Sequence, residues 1–185
     1  STVARKNQVF DELMAFLTSQ VEEERQRTMV EELAQQCGID TEAHRARQVM
    51  NWAEIAGLAR DPLCTIGAHT IHHFAIARLT PKQALFEMEE SASIIGMETG
   101  SAPRHFAFPY GYPAAAGPRD FELARKAGFA TAVTTRHGVL VEEHREHLHA
   151  LPRISVNGHF QAVRYVNALL SGLPARLQNR GRAMD

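Results

Sequence analysis

From residue 63 to residue 170, short β-prone runs alternate with helical patterns, and this alternation limits the folds that the chain can adopt. Parallel strands need long crossover connections, which are usually helices. The order therefore predicts βα units and a largely parallel sheet. The strands are expected at residues 63–68, 105–108, 129–135 and 148–156, and the helices between and after them at 81–97, 119–126 and 159–170.

The first fifty residues have a different pattern. Apolar residues recur at helical spacing over 7–36, Gly38 ends that pattern, and a second helix is expected over 41–50. A short helix over 51–59 follows, in which Asn51 and Glu54 have the spacing of a capping box. We expect a single domain, 1–185, with a mainly helical part (1–50) and a part that carries the motifs (51–182).

Composition excludes several classes of protein. The 185 residues are 44% hydrophobic and 22% charged, as in an ordinary globular domain. A net charge of −1 argues against a nucleic-acid partner, because such proteins usually present a basic face. No apolar run reaches the length of a transmembrane helix, so no membrane span is predicted. The two cysteines, Cys37 and Cys64, form no Cys-x-x-Cys pair, and the cellular compartment stays open.

Two histidines directly after the predicted strand 63–68 are candidate metal ligands. His69 and His73 stand four residues apart, so one helical turn from the strand end would put both imidazoles on one face. Neutral imidazole suits zinc and similar cations, but a catalytic zinc site normally has three protein ligands. The pair is one ligand short. The alternative is that these histidines end the strand and make only local hydrogen bonds.

The neighbouring motifs give the histidine pair a family context. The run GAHTIHH at 67–73, preceded by WAEI at 52–55 and followed by FAFPYG at 106–111, resembles the polysaccharide deacetylases of the NodB-homology type, carbohydrate esterase family 4. The resemblance implies a (β/α) barrel, here incomplete or distorted and preceded by helices. It also implies that His69 and His73 bind a divalent metal, most often zinc, with Thr70 at the hydroxyl position of the motif.

The second motif implies an oxyanion site. In the resembled family, residues corresponding to Pro109, Tyr110 and Gly111 line the substrate groove, and the tyrosine amide holds the oxyanion. A Pro-Tyr-Gly turn that packs an aromatic ring is the purely structural alternative. The family often has an arginine where this chain has Ala107. Arg153, on a neighbouring predicted strand, is the candidate replacement.

The general acid and the base are harder to place. Family members take the acid from a late histidine, and His149 is our choice over His144 and His147 because it enters a predicted strand. The family's opening Thr-Phe-Asp-Asp motif, which supplies the base and the third metal ligand, does not occur in this sequence. We therefore expect an N-terminally incomplete domain whose base lies upstream. Open sheet edges would favour a homo-oligomer.

Three functional hypotheses follow. The first is a metal-dependent hydrolase that removes acetyl groups from an N-acetylglucosamine-type or acetylxylan-type glycan, with little activity expected from this chain alone. The second is a non-catalytic carbohydrate-binding or assembly domain on the same scaffold. The third is an unrelated metal hydrolase that uses His69, His73 and a glutamate such as Glu54.

Overall fold

The computed structural model describes residues 2–158 and 160–179, which form two compact units. The division lies between Glu54 and Ile55, close to the predicted change at residue 50. None of the helices within those ranges combines the length and the hydropathy that a bilayer span requires. The expectation that one domain spans residues 1–185 stays a prediction.

The first unit consists of helices α1 (Val3–Gln20), α2 (Glu23–Gln36) and α3 (Thr41–Gln48). Side-chain caps begin two of them: the hydroxyl of Thr2 accepts from the amide of Arg5, and the carboxylate of Asp40 accepts from that of Ala43. The predicted continuous helix over 7–36 is wrong, because Val21 and Glu22 have extended backbone. Val21 is buried there and its carbonyl accepts from the side chain of Gln26, 3.1 Å away.

Helix α4 (Trp52–Leu58) crosses the division between the units, and the second unit contains the sheet. Its further elements are α5 (Pro81–Thr99), β1 (His105–Ala107), α6 (Pro118–Lys126), β2 (Thr131–His137), β3 (Leu151–Arg153), α7 (Val163–Leu170) and α8 (Leu173–Gln178). The three strands are parallel in the order β1-β2-β3. Ala68 adds one parallel bridge, to Phe106 of β1.

Helix α5 begins at the predicted residue 81 and ends at Thr99, two residues after the predicted end at 97. Thr80 and Gln83 form a capping box, Pro81 occupies the first turn, and Gly100 ends the helix in the left-handed conformation. The buried face of α5 consists of Ala84, Glu87, Met88 and Ser91. These positions follow the 3.6-residue period, so one side of the helix faces the core.

The core of the second unit lies between the sheet and its helices. Phe106, Phe108, Ile76 and Met88 are fully buried. The rings of Phe106 and Phe108 meet edge to face with centroids 5.1 Å apart, a favourable arrangement for aromatic pairs. The close-packed core therefore holds β1 and the residue that directly follows it in place.

The predicted strand at 63–68 is wrong except for its last residue. Asp61 starts a turn: its carbonyl accepts from the amide of Cys64 and its carboxylate from that of Leu63, which is 96% exposed. Within this predicted strand, Ala68 is the residue that forms a bridge to β1. The broader prediction is confirmed, since the chain has an α/β fold with a parallel sheet that forms an incomplete barrel, preceded by helices.

Candidate functional site

The predicted motifs meet at the carboxyl end of the parallel strands. Ala68 pairs with Phe106, so His69 lies beside Ala107 at the end of β1. Residues 109–111 follow β1, and β2 and β3 end at His137 and Arg153. In open parallel sheets this end usually holds the ligand site.

The imidazole of His69 has one nitrogen fixed by the backbone. Its Nδ1 lies 2.6 Å from the carbonyl oxygen of Ala107. A carbonyl can only accept, so Nδ1 carries the hydrogen and donates it. In the neutral ring, Nε2 then keeps a lone pair. Metal-binding histidines show this arrangement, with one nitrogen on the metal and the other donating to a carbonyl or carboxylate.

His73 approaches His69 through a loop and not through a helical turn, so the helical expectation was wrong. The two ring centroids are 4.8 Å apart and the rings meet edge to face. Thr70 and His73 have φ values of 65° and 57°, in the left-handed region that few non-glycine residues adopt. The hydroxyl of Thr70 accepts from the amide of His73 at 2.9 Å, which closes the loop.

Glu87 of α5 holds the middle of that loop. One carboxylate oxygen accepts from the amides of Ile71 and His72, each at 3.0 Å, and the other lies 2.6 Å from Nδ1 of His72. No role for Glu87 or His72 was predicted from the sequence. The signal was an acidic residue on the otherwise apolar face of a predicted helix.

The Pro109–Gly111 segment forms a strained turn at the end of β1. The amide of Gly111 donates to the carbonyl of Pro109 at 2.6 Å, and Tyr110 between them has φ 60°, which makes a γ-turn. The ring of Tyr110 meets that of His73 edge to face at 5.0 Å. The turn and the histidine loop are therefore in contact, as the motifs predict.

The end of β2 fixes this turn. The hydroxyl of Thr135 donates to the carbonyl of Tyr110, and the amide of Thr135 donates to the carbonyl of Gly111 at 3.1 Å. Gly111 has φ 64°, and a Cβ atom there would lie 2.5 Å from the amide nitrogen of Thr135. Only glycine fits this close approach of two backbone segments.

Arg153 and His149 lie at different ends of the sheet. Arg153 ends β3 at the same level as His137 of β2, and its Nε donates to the carbonyl of Thr134 at 2.7 Å. His149 precedes β3, and its Nε2 donates to the carbonyl of Phe129, before the start of β2, at 2.7 Å. The structure thus brings the predicted residues His69, His73 and 109–111 together, but it places His149 toward the amino end of the strands.

The two histidines His69 and His73 could supply two of the three protein ligands that a catalytic zinc site normally has. His69 is oriented as a ligand and His73 is its neighbour. Within residues 2–158 and 160–179, no group of three or more His, Cys, Asp or Glu side chains is arranged to hold an ion. Glu54, the acidic residue of the third hypothesis, accepts instead from the amide of Asn51 at the start of α4, at 2.8 Å.

Three solved structures, two of them described as deacetylases, share this fold. A Streptococcus pyogenes deacetylase, PplD, in complex with acetate aligns with a TM-score of 0.58 and 16% identity over 65% of this chain and 50% of its own. A polysaccharide deacetylase from Bacillus cereus gives 0.57 and 17% over 66% and 37%. IcaB from Ammonifex degensii gives 0.53 and 21% over 66% and 53%.

The chain thus spans between about a third and about half of these proteins. At such identities the similarity concerns the fold. No curated protein sequence matches significantly. The sequence profile of the polysaccharide deacetylase family, however, matches residues 13–132, well over half of the chain. This chain belongs to the polysaccharide deacetylase family.

Proposed function

We propose that the second unit carries part of the active site of a metal-dependent hydrolase that removes acetyl groups from a polysaccharide or oligosaccharide. His69 and His73 are the proposed ligands of a divalent ion, most simply zinc. The observation that supports the proposal is the hydrogen bond from Nδ1 of His69 to Ala107, which leaves the lone pair of the neutral ring on Nε2, with the ring centroid of His73 4.8 Å away. A bound zinc ion would supply Lewis acidity and activate water for hydrolysis.

The chain's own residues have separate proposed tasks. The amide of Tyr110 donates to the acetyl oxygen as that oxygen gains negative charge, and donors held in place before reaction are effective in this role. Thr135 supports it by fixing the carbonyls of Tyr110 and Gly111. Arg153, anchored through Nε to Thr134, supplies a positive charge that can pair with a catalytic carboxylate.

The base and the third metal ligand are proposed to come from an aspartate pair like that of the family's opening motif, which does not occur among these 185 residues. The general acid is left unassigned, because the hydrogen bond between His149 and Phe129 holds that imidazole toward the amino end of the strands. Without the aspartate pair, little turnover is expected from these 185 residues.

The proposed substrate is an acetylated glycan. Tyr110 and Tyr112 are 38% and 44% exposed, with ring centroids 6.3 Å apart. Exposed aromatic rings with a polar hydroxyl suit the mixed apolar and polar faces of a sugar. The acetate bound by the Streptococcus pyogenes protein is the product that hydrolysis of an acetyl group releases.

Zinc binding tests the proposal directly. The zinc dissociation constant is measured by competition with a chromogenic chelator for the wild type, for His69→Ala and for His147→Ala, an exposed histidine outside the site. We expect the His69 variant to bind zinc at least tenfold more weakly and the His147 variant to match the wild type. Equal affinities in all three proteins would contradict the assignment of the ligands.

Acetate release from acetylated chito-oligosaccharides and from acetylxylan, with zinc present, tests the missing base. Negligible release agrees with the proposal. Release that depends on His69 would show that the chain already contains a base.

A non-catalytic glycan-binding domain is the second candidate, and the exposed pair Tyr110 and Tyr112 favours it. It predicts glycan binding that Tyr112→Ala weakens, that His69→Ala leaves unchanged, and that occurs without zinc. The hydrolase proposal predicts that zinc or the His69 substitution alters how an acetylated glycan binds.

A further inference from the structure

We propose that Glu87 is the positioning residue of the histidine pair: its buried carboxylate holds the loop so that His69 and His73 face one ion. The proposal rests on the metal-site function proposed above. It assigns to Glu87 no contact with the substrate or with the ion.

Both carboxylate oxygens of Glu87 accept hydrogen bonds from the loop. It is 4% exposed, and its two oxygens take three hydrogen bonds from consecutive loop residues: two from the amides of Ile71 and His72, and one from the imidazole of His72. Charge-assisted hydrogen bonds of this type are stronger than neutral ones. The carboxylate therefore fixes the two peptide units between the proposed ligands.

The loop needs such support because its backbone is unfavourable. Thr70 and His73, on either side of the residues that Glu87 binds, both have positive φ. Non-glycine residues keep this conformation only where surrounding structure enforces it. The side chain of His73 is exposed and that of Thr70 is only half-buried, so burial of these two side chains does not by itself enforce the conformation.

The support itself is rigid. Glu87 lies between Ala84 and Met88 on the buried face of α5, and both of those residues are fully buried. Because this helix is packed in the core, the carboxylate of Glu87 holds the loop at a fixed position relative to the core. Side chains that orient metal ligands typically contribute 10–100-fold to metal affinity.

The test compares Glu87→Leu and Glu87→Gln with the same changes at Glu89, an exposed residue of the same helix. Leucine removes all three acceptor contacts, whereas glutamine keeps one oxygen for the two loop amides. The zinc dissociation constant is measured by chelator competition. In the metal-free protein, long-range ¹H–¹⁵N spectra of labelled histidine report whether His69 holds a single tautomer with hydrogen on Nδ1.

We expect Glu87→Leu to weaken zinc binding at least tenfold and to give His69 a mixture of tautomers, while thermal unfolding stays cooperative. Glu87→Gln should restore most of the affinity and the single tautomer, and both Glu89 variants should match the wild type. A leucine variant with the wild-type affinity and tautomer would overturn the proposal.

The proposal and the metal function can fail separately. If the wild type binds no zinc but Glu87→Leu still changes the His69 tautomer, the metal function fails and the positioning role stands. If the leucine variant does not fold, hydrogen exchange in the wild type decides. Slow exchange of the Ile71 and His72 amides supports the proposal, and exchange at the rate of an unfolded peptide overturns it.

Discussion

Replacing Gly111 by alanine tests how closely the turn after β1 approaches β2. The new Cβ would lie 2.5 Å from the amide nitrogen of Thr135 and 3.0 Å from the carbonyl carbon of Thr134. Both atoms belong to the backbone of a central strand, so neither can move without disturbing the sheet. The left-handed φ of 64° adds a second penalty.

The two penalties can be estimated separately. An alanine in the left-handed region costs about 1–2 kcal/mol. Forcing an extra carbon into a packed site costs about 1–3 kcal/mol more. Gly111→Ala should therefore lower the free energy of unfolding by roughly 2–5 kcal/mol, the sum of these two ranges.

Gly100→Ala is the matched control. Gly100 also has a positive φ, 76°, but a Cβ there would meet no atom within 4 Å. This variant should lose only the left-handed penalty, about 1–2 kcal/mol. Urea unfolding followed by circular dichroism gives both values. Equal destabilisation of the two variants would refute the inference that close contact with β2 requires glycine at residue 111.

Two further predictions concern buried side chains of the second unit, each measured by urea unfolding. Met88 is fully buried and Met97 is 72% exposed. Met88→Ala should therefore lower the free energy of unfolding by about 2–5 kcal/mol, and Met97→Ala by about 0.5 kcal/mol or less. Equal losses would contradict the assignment of Met88 to the core. Asp120 is 1% exposed and pairs with Arg119, so Asp120→Ala should cost about 1–3 kcal/mol. Glu122→Ala, at an exposed ion pair, should cost about 0.5 or less, and a larger loss there than at Asp120 would count against this reading.

Local signals predicted the regular elements well. The helix predicted over 81–97 corresponds to α5, which runs from Pro81 to Thr99. The β-prone runs at 105–108 and 129–135 correspond to β1 and β2. In each case the residues that determine the element lie within it or beside it, so a single sequence contains the information.

The sequence did not predict the features that depend on contacts between residues far apart in the chain. The apolar run at 63–68 favours a strand, but a turn at Asp61 occupies its start, and of this run Ala68 forms the bridge to β1. The spacing of His69 and His73 suggested a helical turn. The structure brings the rings together through residues with positive φ instead, a conformation that is rare for a β-branched residue such as threonine.

Glu87 shows why site residues outside a motif are hard to find. It lies 14 residues after His73 in sequence, on a different element, and its partners are mainly backbone amides. A sequence pattern does not show which backbone amides a side chain will contact. The motif predicted which residues would meet, whereas the support of the loop required the structure.

The position of bound zinc tests whether His69 and His73 are its ligands. Crystals of the chain grown with zinc and measured at the zinc absorption edge would give an anomalous peak at each bound ion. We expect a peak about 2.0–2.1 Å from a ring nitrogen of both His69 and His73, the usual zinc–imidazole distance. A zinc peak that contacts neither histidine, with the site otherwise intact, would contradict this assignment.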